Sequence, residues 1–213
     1  VEHVLSFGPC EVGRDVNALV EAEGSHPLPA TAGTCDQTSW LLYTGGTTGV
    51  PKAAMLTEGG LGQMILNVTT GWDLPSERRY LAVAPISHAA GMMVTPTLMR
   101  GGTVVLQKGW DPQRWMDTVA RERITMSLLV PTMIYSLLDA PGLPRADLST
   151  LETIMYGASP MSPSRLVEGI ERIGPVFSQL YGQTECAGVV SCLWRHEHVV
   201  GDLHRLTSCG QAM

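Results

Sequence analysis

The stretch Leu42-Tyr43-Thr44-Gly45-Gly46-Thr47-Thr48-Gly49-Val50-Pro51-Lys52 sets glycines, threonine hydroxyls and one lysine close together behind an apolar run. Gly45, Gly46 and Gly49 let successive backbone N–H groups face one ligand and form an anion-binding concavity. Thr44, Thr47 and Thr48 add hydroxyl donors, and Lys52 adds a mobile positive charge, so the chemistry on offer is phosphate binding. The ordinary nucleotide loop GxxxxGK[ST] requires its lysine directly after the last glycine and at a helix start. Here Val50-Pro51 intervene and the strand-like "AAML" follows. A GxGxxG fingerprint fails on spacing. A plain glycine-rich hairpin turn is the weaker reading, because it would need neither the lysine nor the threonines.

Three further segments carry usable side chains. "YGQTE" (Tyr181–Glu185) offers a flat ring to cover a purine, then Gly182 and Gln183, with Thr184 and Glu185 suited to a phosphate oxygen and Mg2+. "YGASPM" (Tyr156–Met161) offers bare backbone at Gly157 and Ala158 for a base edge. Its Ser159 is not a nucleophile elbow, since Gly-Ala-Ser-Pro-Met breaks GxSxG at the last position. "APISHAAGMM" sets His88 between a proline turn and a small-residue helix start, where a lone histidine is more often structural than catalytic. His196, His198 and His204 lie close in "RHEHVVGDLH" without HExxH or CxxC spacing, and read as a solvated loop rather than a metal site.

The elements that must position these residues alternate along the chain. Strands are expected at Trp40–Tyr43, Ala53–Leu56, Tyr80–Ala84, Thr103–Gln107, Thr125–Val130, Thr153–Tyr156 and Val176–Leu180. Asp111-Pro112 reads as an N-cap and N1 proline opening a helix that buries Trp115, Met116, Val119 and Ala120. Pro131 starts another helix through Leu138. Ser162-Pro163 repeats the capping signal for a helix with a Leu166, Val167, Ile170, Ile173 stripe, ended by Gly174. Apolar strands separated by helices predict an α/β fold: a mostly parallel sheet with helices on both faces. Ligands in such sheets bind at the carboxyl ends of strands. Residues 1–38 read as an irregular acidic lead-in with a helical piece near Val16–Glu23, and residues 39–213 as the working domain.

Composition sets the outer limits. The 213 residues are 44% hydrophobic and 16% charged, with net charge −6, and no lysine/arginine run is present to neutralise a polynucleotide, so no nucleic-acid partner is expected. No apolar run reaches transmembrane length, and "VEHVLSFGPC" lacks a signal-peptide layout. Peripheral membrane contact and oligomeric state stay open. Five cysteines without a CxxC pair suggest reduced thiols in a cytoplasmic protein. The missing initiator methionine suggests a chain cut from a longer one.

In this order, the segments resemble the adenylate-forming (AMP-binding) superfamily of acyl- and aryl-CoA synthetases, luciferases and peptide-synthetase adenylation domains. "YTGGTTGVPKAAML" is similar to its phosphate loop, with Gly46 where serine is common and Ala53 where glycine is common. "PISHAAG", "YGASPMS" and "YGQTE" resemble three further segments of the family. The resemblance spans residues 40–186 and implies a two-step reaction. A carboxylate attacks the α-phosphate of Mg-ATP to give an acyl-adenylate, and a thiol, usually of coenzyme A, then displaces AMP.

By position, the resemblance gives Thr44, Gly45, Gly46, Thr47, Thr48, Gly49 and Lys52 to the β- and γ-phosphates. It gives Tyr181 to adenine, with Gly157, Ala158 and Ser159 along the base and Gly182 and Gln183 beside it. Thr184 meets the α-phosphate, Glu185 binds Mg2+ and His88 flanks the acyl entrance, so Thr44, Lys52, His88, Thr184 and Glu185 form the catalytic set. It also implies a ribose-binding aspartate, a small C-terminal domain and an adenylation lysine beyond Met213. The chain then reads as a central fragment of the large domain, inactive or nearly so alone.

In the peptide-synthetase branch of the family an aspartate holds the substrate's amino group; the segment where the resemblance would place it, near Val83–Met92, carries no acid, which makes amino-acid substrates less expected. "SLLVPTMIYSLLD" and the run from Gly157 to Glu185 look most like bacterial fatty-acyl-CoA synthetases, so a medium- or long-chain fatty acid is the first expectation and an aryl acid the second. Met92, Met93, Met99, Met126, Met133, Met155 and Met161 would suit an adaptable apolar pocket, though most such residues serve core packing. An acyl-AMP ligase feeding a carrier protein and a non-catalytic nucleotide-binding module stay open.

Overall fold

The computed structural model describes residues 5–6, 13–23, 33–44 and 52–213. The chain divides into two compact units, Val1–Gly33 and Thr34–Met213. In the first, β1 (Leu5–Ser6) pairs in parallel with β2 (Arg14–Asp15), and α1 (Val16–Glu23) follows where the sequence predicts a helix. The Asp15 carboxylate accepts from the Asn17 N–H at 3.0 Å.

The second unit begins with an antiparallel hairpin of β3 (Thr38–Thr44) and β4 (Lys52–Thr57), in which Thr44 faces Lys52. This corrects the expectation that Trp40–Tyr43 and Ala53–Leu56 join the main sheet. The connection between them is far shorter than the dozen or more residues a parallel crossover takes. Gly45, Gly46, Thr47, Thr48 and Gly49 lie outside the described residues, as does the Thr44 side chain.

The hairpin leads into α2 (Glu58–Gly71), whose first turn is capped by Thr57 Oγ1 accepting from the Gly60 N–H at 3.2 Å. The main sheet comprises β5 (Arg79–Ala82), β6 (Thr103–Leu106), β7 (Met126–Leu129), β8 (Thr153–Gly157), β9 (Phe177–Gln183), β10 (Gly188–Leu193) and β11 (Gln211–Ala212), in the order β11-β10-β9-β8-β7-β5-β6. Pairing is parallel from β6 to β9 and antiparallel for β10 and β11. The connecting helices are α3 (Val94–Met99), α4 (Pro112–Glu122), α5 (Pro131–Leu138), α6 (Pro163–Ile173) and α7 (Leu203–Leu206).

Side chains of the central strands alternate between two cores, as the pleat requires. Ile154 and Tyr156 of β8 join Trp115, Ile134 and Leu166 from α4, α5 and α6. Met155, between them, joins Leu61, Met64 and Val68 of α2 on the other face. Both faces are therefore covered, as expected for strands without a polar side. No helix among the described residues is long and apolar enough to cross a membrane.

Two details of the helices differ from the sequence reading. In α4 it is Thr118 and not Ala120 that is buried, because the stripe is turned toward the chain leaving β6, where the Thr118 hydroxyl donates to Gln107 Oε1 at 3.2 Å. Asp111 caps this helix through the Arg114 N–H at 2.7 Å, whereas the Ser162 hydroxyl bonds Ser164 Oγ instead of capping α6.

The segment after β10 is pinned by buried polar groups. The Glu197 carboxylate accepts from the Trp194 N–H at 3.0 Å, Gln211 Nε2 at 2.9 Å and the Arg205 guanidinium. Arg195 donates to both oxygens of Asp73, at 2.9 and 2.7 Å, and to the Glu152 carbonyl. His198 is buried, which corrects the expected solvated loop: its Nδ1 lies 2.8 Å from the Trp194 carbonyl and its Nε2 2.9 Å from Tyr156 Oη. A carbonyl only accepts, so Nδ1 carries the proton and Nε2 accepts from the Tyr156 hydroxyl.

Burial lowers the pKa of His198, against an opposing pull from the Trp194 carbonyl and the Glu197 charge. Burial raises that of Glu197, but the Trp194 N–H, Arg205 and Gln211 outweigh it and the net shift is downward from 4.5. As pH falls below 6.5 the unfolded chain takes up a proton at His198 that the folded chain refuses, so stability declines from there toward the lowered value. Glu197 contributes stability above 4.5 that is lost as pH falls through its own lowered value. Denaturant titrations across pH should show both declines, and His198→Gln should abolish only the upper one.

At Gly182 a Cβ would stand 1.8 Å from the Gly188 carbonyl oxygen across the β9–β10 pair, whereas at Gly62, exposed on α2, it would meet nothing within 4 Å. Gly182→Ala should therefore cost about 2 kcal/mol by overpacking. Gly62→Ala should gain about 0.5–1 kcal/mol from helix propensity. Urea unfolding of the two variants measures the contrast.

Candidate active site

β8 ends beside the middle of β9, with Tyr156 facing Gln179 and Gly157 facing Leu180, and β9 runs three residues further. A cleft of about 370 Å³ opens beyond them. Its walls are Tyr156, Ala158 and Ser159 from the end of β8, Gln179, Tyr181 and Gly182 from β9, and Leu206, Thr207 and Cys209 from the pinned C-terminal segment. Tyr181 is 44% exposed, and its hydroxyl accepts from Gln183 Nε2 at 3.1 Å. Gln179 Oε1 is buried and has no hydrogen-bond partner among the described residues, an acceptor left open in the wall. The size and the mix of one flat ring with a few polar groups suit a nucleoside.

A second cleft, of about 310 Å³, lies against the first and shares Ala158, Leu180 and Gly182 with it. It adds Trp40 and Leu42 from the hairpin, Met64 from α2, Met92, and the polar residues His88, Gln183 and Thr184. His88 precedes a 3-10 turn, Ala89–Met93, that the Tyr80 hydroxyl holds by donating to the Ala90 carbonyl at 3.0 Å. The last residue of "PISHAAG" must be glycine, since a Cβ at Gly91 would stand 1.9 Å from the Ile86 carbonyl oxygen. Three described non-glycine residues have positive φ. Arg123 ends α4, while Ala158 (65°) and Ala187 (56°) both line this second cleft. Left-handed backbone at alanine costs about 1 kcal/mol, and such strain concentrates at working sites.

The structure thus brings together Ala158, Ser159, Tyr181 and Gly182 in one cleft, and His88, Ala158, Gly182, Gln183 and Thr184 in the other. Gly157 is buried at the end of β8 and faces neither. Lys52 is exposed at the start of β4, and Glu185 is exposed on the 3-10 turn Thr184–Cys186, against which β4 packs. Among the described residues no three His, Cys, Asp or Glu gather as a metal-holding group. Sequence reasoning missed Tyr156, Gln179, Leu206, Thr207 and Cys209 as cleft residues. Gln179 carried a faint signal, as a polar residue in the apolar run before "YG"; the 206–209 stretch carried none.

Comparison with known proteins bears on the family and the fold. The model of the AMP-binding enzyme family matches residues 1–213. The medium/long-chain-fatty-acid–CoA ligase FadD8 of Mycobacterium tuberculosis is 39% identical over 99% of this chain and 37% of its own length. A feruloyl-CoA synthase of an Amycolatopsis species is 42% identical over 75% of this chain and 33% of its own. The structure of the amide bond synthetase McbA from Marinactinospora thermotolerans superposes with a TM-score of 0.84 at 34% identity, over 100% of this chain and 42% of that one. The chain spans about a third of the length of the curated relatives it matches. It belongs to the AMP-binding enzyme family.

Proposed function

We propose that residues 39–213 form the nucleotide- and acid-binding part of the large domain of an ATP-dependent acyl-CoA ligase, with residues 1–38 as its lead-in. The observation that carries this reading is the wall of Ala158, Leu180 and Gly182 common to two clefts of different chemistry. A nucleotide on one side and a carboxylic acid on the other would meet at its rim. A fatty acid is the first choice of substrate, since the second cleft is largely apolar and FadD8 is 39% identical. Coenzyme A is the acceptor on the likeness to FadD8 and to the feruloyl-CoA synthase. The free cysteines Cys35, Cys186, Cys192 and Cys209 suit a cytoplasmic setting, and burial pushes the Cys192 thiol up to about 12, which keeps it unreactive.

In the first step a carboxylate oxygen attacks the α-phosphorus, the bond to the bridging oxygen breaks and pyrophosphate leaves. In the second a thiolate attacks the acyl carbon and AMP leaves. This chemistry asks the protein for positioning and charge neutralisation. Tyr181 stacks on the adenine and Gln179 Oε1 accepts from its exocyclic amine, while Ala158 and Ser159 flank the base. Thr184 donates to the α-phosphate, and Lys52 with the Thr44–Gly49 loop neutralises the outer phosphates. Glu185 would supply one of the one or two carboxylates by which a phosphate-bound Mg2+ is held, and the ion would neutralise phosphate charge there. His88 lines the mouth of the acid cleft.

Pyrophosphate release by the full-length protein, with ATP and a carboxylate panel, tests the reading. Lys52→Ala should lower kcat/KM by about a hundredfold through lost phosphate neutralisation. Tyr181→Ala should raise the KM for ATP by roughly tenfold, the worth of one base–aromatic stack. The 213-residue chain assayed alone should turn over far more slowly than the full-length protein. Unchanged rates in both variants would sink the assignment.

A further inference from the structure

Two supports of the first cleft are joined by a buried hydrogen bond. Tyr156, two residues before the strained Ala158, is 1% exposed and lines the cleft. Its hydroxyl meets His198 Nε2 at 2.9 Å, and the two rings lie edge to face with centroids 5.7 Å apart. His198 follows Glu197, which binds Arg205 and Gln211, and Leu206 follows Arg205. The bond therefore runs from the strand that leads to Ala158 and Ser159 to the segment that carries Leu206, Thr207 and Cys209.

This bond needs one tautomer. Nδ1–H is committed to the Trp194 carbonyl at 2.8 Å, which leaves Nε2 as the acceptor for the Tyr156 hydroxyl. No second partner of that hydroxyl is found among the described residues. A proton on Nε2 turns the acceptor into a donor. The Tyr156 oxygen can take it, but its own buried O–H is then left without an acceptor. The charged and titratable groups around the pair are Glu197 on the same turn, Arg205 of α7 bound to it, Cys192 of β10, and Arg195 with Asp73. The Glu197 pKa is lowered from 4.5 and the Cys192 thiol is pushed up to about 12, so neither changes state near neutral pH. His196, stacked on Trp194, and His204 of α7 are the segment's other imidazoles.

We infer that His198 is a positioning residue for the nucleotide: by accepting from Tyr156 it holds the Leu206–Cys209 stretch at the spacing from Ala158 and Ser159 that an adenosine group fills. The inference rests on the first cleft being the nucleotide site of the proposed ligase. His198 does not line that cleft and takes no part in the chemistry; it acts through Tyr156 and through its own turn. Without the bond the wall occupies its working position for a smaller fraction of the time, and the apparent affinity for nucleotide falls by that fraction. Burial lowers the His198 pKa from 6.5, so the bond is intact at neutral pH and is lost only as the pH falls below 6.5 through the lowered value.

The test is calorimetric titration of the full-length protein with Mg-ATP across pH, with a thermal melt at each pH. Tyr156→Phe and His198→Leu should each weaken ATP binding by about tenfold at about pH 8, the scale of one buried hydrogen bond. His198→Gln places an amide oxygen where Nε2 stood, accepts from Tyr156 and does not titrate, so it should keep the affinity within about twofold. The pH dependence is read as the ratio of Kd values, unmodified protein over His198→Gln, because the titration of ATP and of the other imidazoles is common to both. That ratio should be near one at about pH 8 and rise toward about ten as the pH falls through the lowered His198 value.

A Tyr156→Phe protein that melts cooperatively and binds ATP as tightly as the unmodified one would overturn the positioning role. So would His198→Gln weakened as much as His198→Leu, since the accepted bond would then not be what matters. Should Tyr156→Phe or His198→Leu not fold, a Kd ratio that stays at one down to the onset of acid unfolding would overturn it instead. Weaker binding in Tyr181→Ala alone would leave the nucleotide reading of the cleft standing and sink the inference. ATP binding that ignores Tyr181→Ala, Tyr156→Phe and His198→Leu alike would overturn that reading and the inference with it.

Discussion

β8 is buried at every position from Thr153 to Gly157 and hydrogen-bonded on both sides, to β7 and to β9. A strand so enclosed has no freedom to slide, because a one-residue slip would exchange Ile154 and Tyr156 with Met155 between two separate cores. Its carboxyl end is therefore fixed relative to β9, and the site is assembled around that end. The strain at Ala158 comes directly after the strand stops. The chain has to leave the sheet there and, at the same time, keep its backbone open to two clefts.

The remaining walls are held by devices of different range. The 3-10 turn after His88 depends on a contact only five residues long, Gly91 against Ile86, reinforced by one tyrosine hydroxyl from β5. The Leu206–Cys209 wall depends on long-range polar contacts instead, through Glu197, His198 and Arg195, the last reaching Asp73 more than a hundred residues away. Local contacts of the first kind leave a sequence signature and those of the second kind do not.

That distinction accounts for what could be read in advance. Tyr181, Ala158, Ser159 and His88 were legible because each sits in a short segment whose glycines and prolines are demanded by backbone geometry. Helix starts at Asp111 and Pro131 were legible through capping chemistry. Tyr156 looked like an ordinary strand residue, since nothing nearby indicates that its hydroxyl meets a histidine 42 positions on. His198 looked solvated for the same reason. α2 went unrecognised because Gly59, Gly60 and Gly62 weaken helix propensity while its stability comes from packing Leu61, Met64 and Val68 against the sheet. The hairpin was misplaced because an apolar strand reads alike in a parallel sheet and in an isolated ribbon, and only the length of the connection separates the two.

Ala158, Leu180 and Gly182 line both clefts, so each cleft has this wall in common with the other. A displacement of that wall by a ligand on one side would alter the shape of the other side by the same movement. Thermodynamic reciprocity then makes the coupling equal in both directions: whatever factor one occupant contributes to the affinity of the second, the second returns to the first. On the proposed assignment of one ligand to each cleft, the two would then not bind independently, and order of addition would be a property of the wall as much as of either cleft.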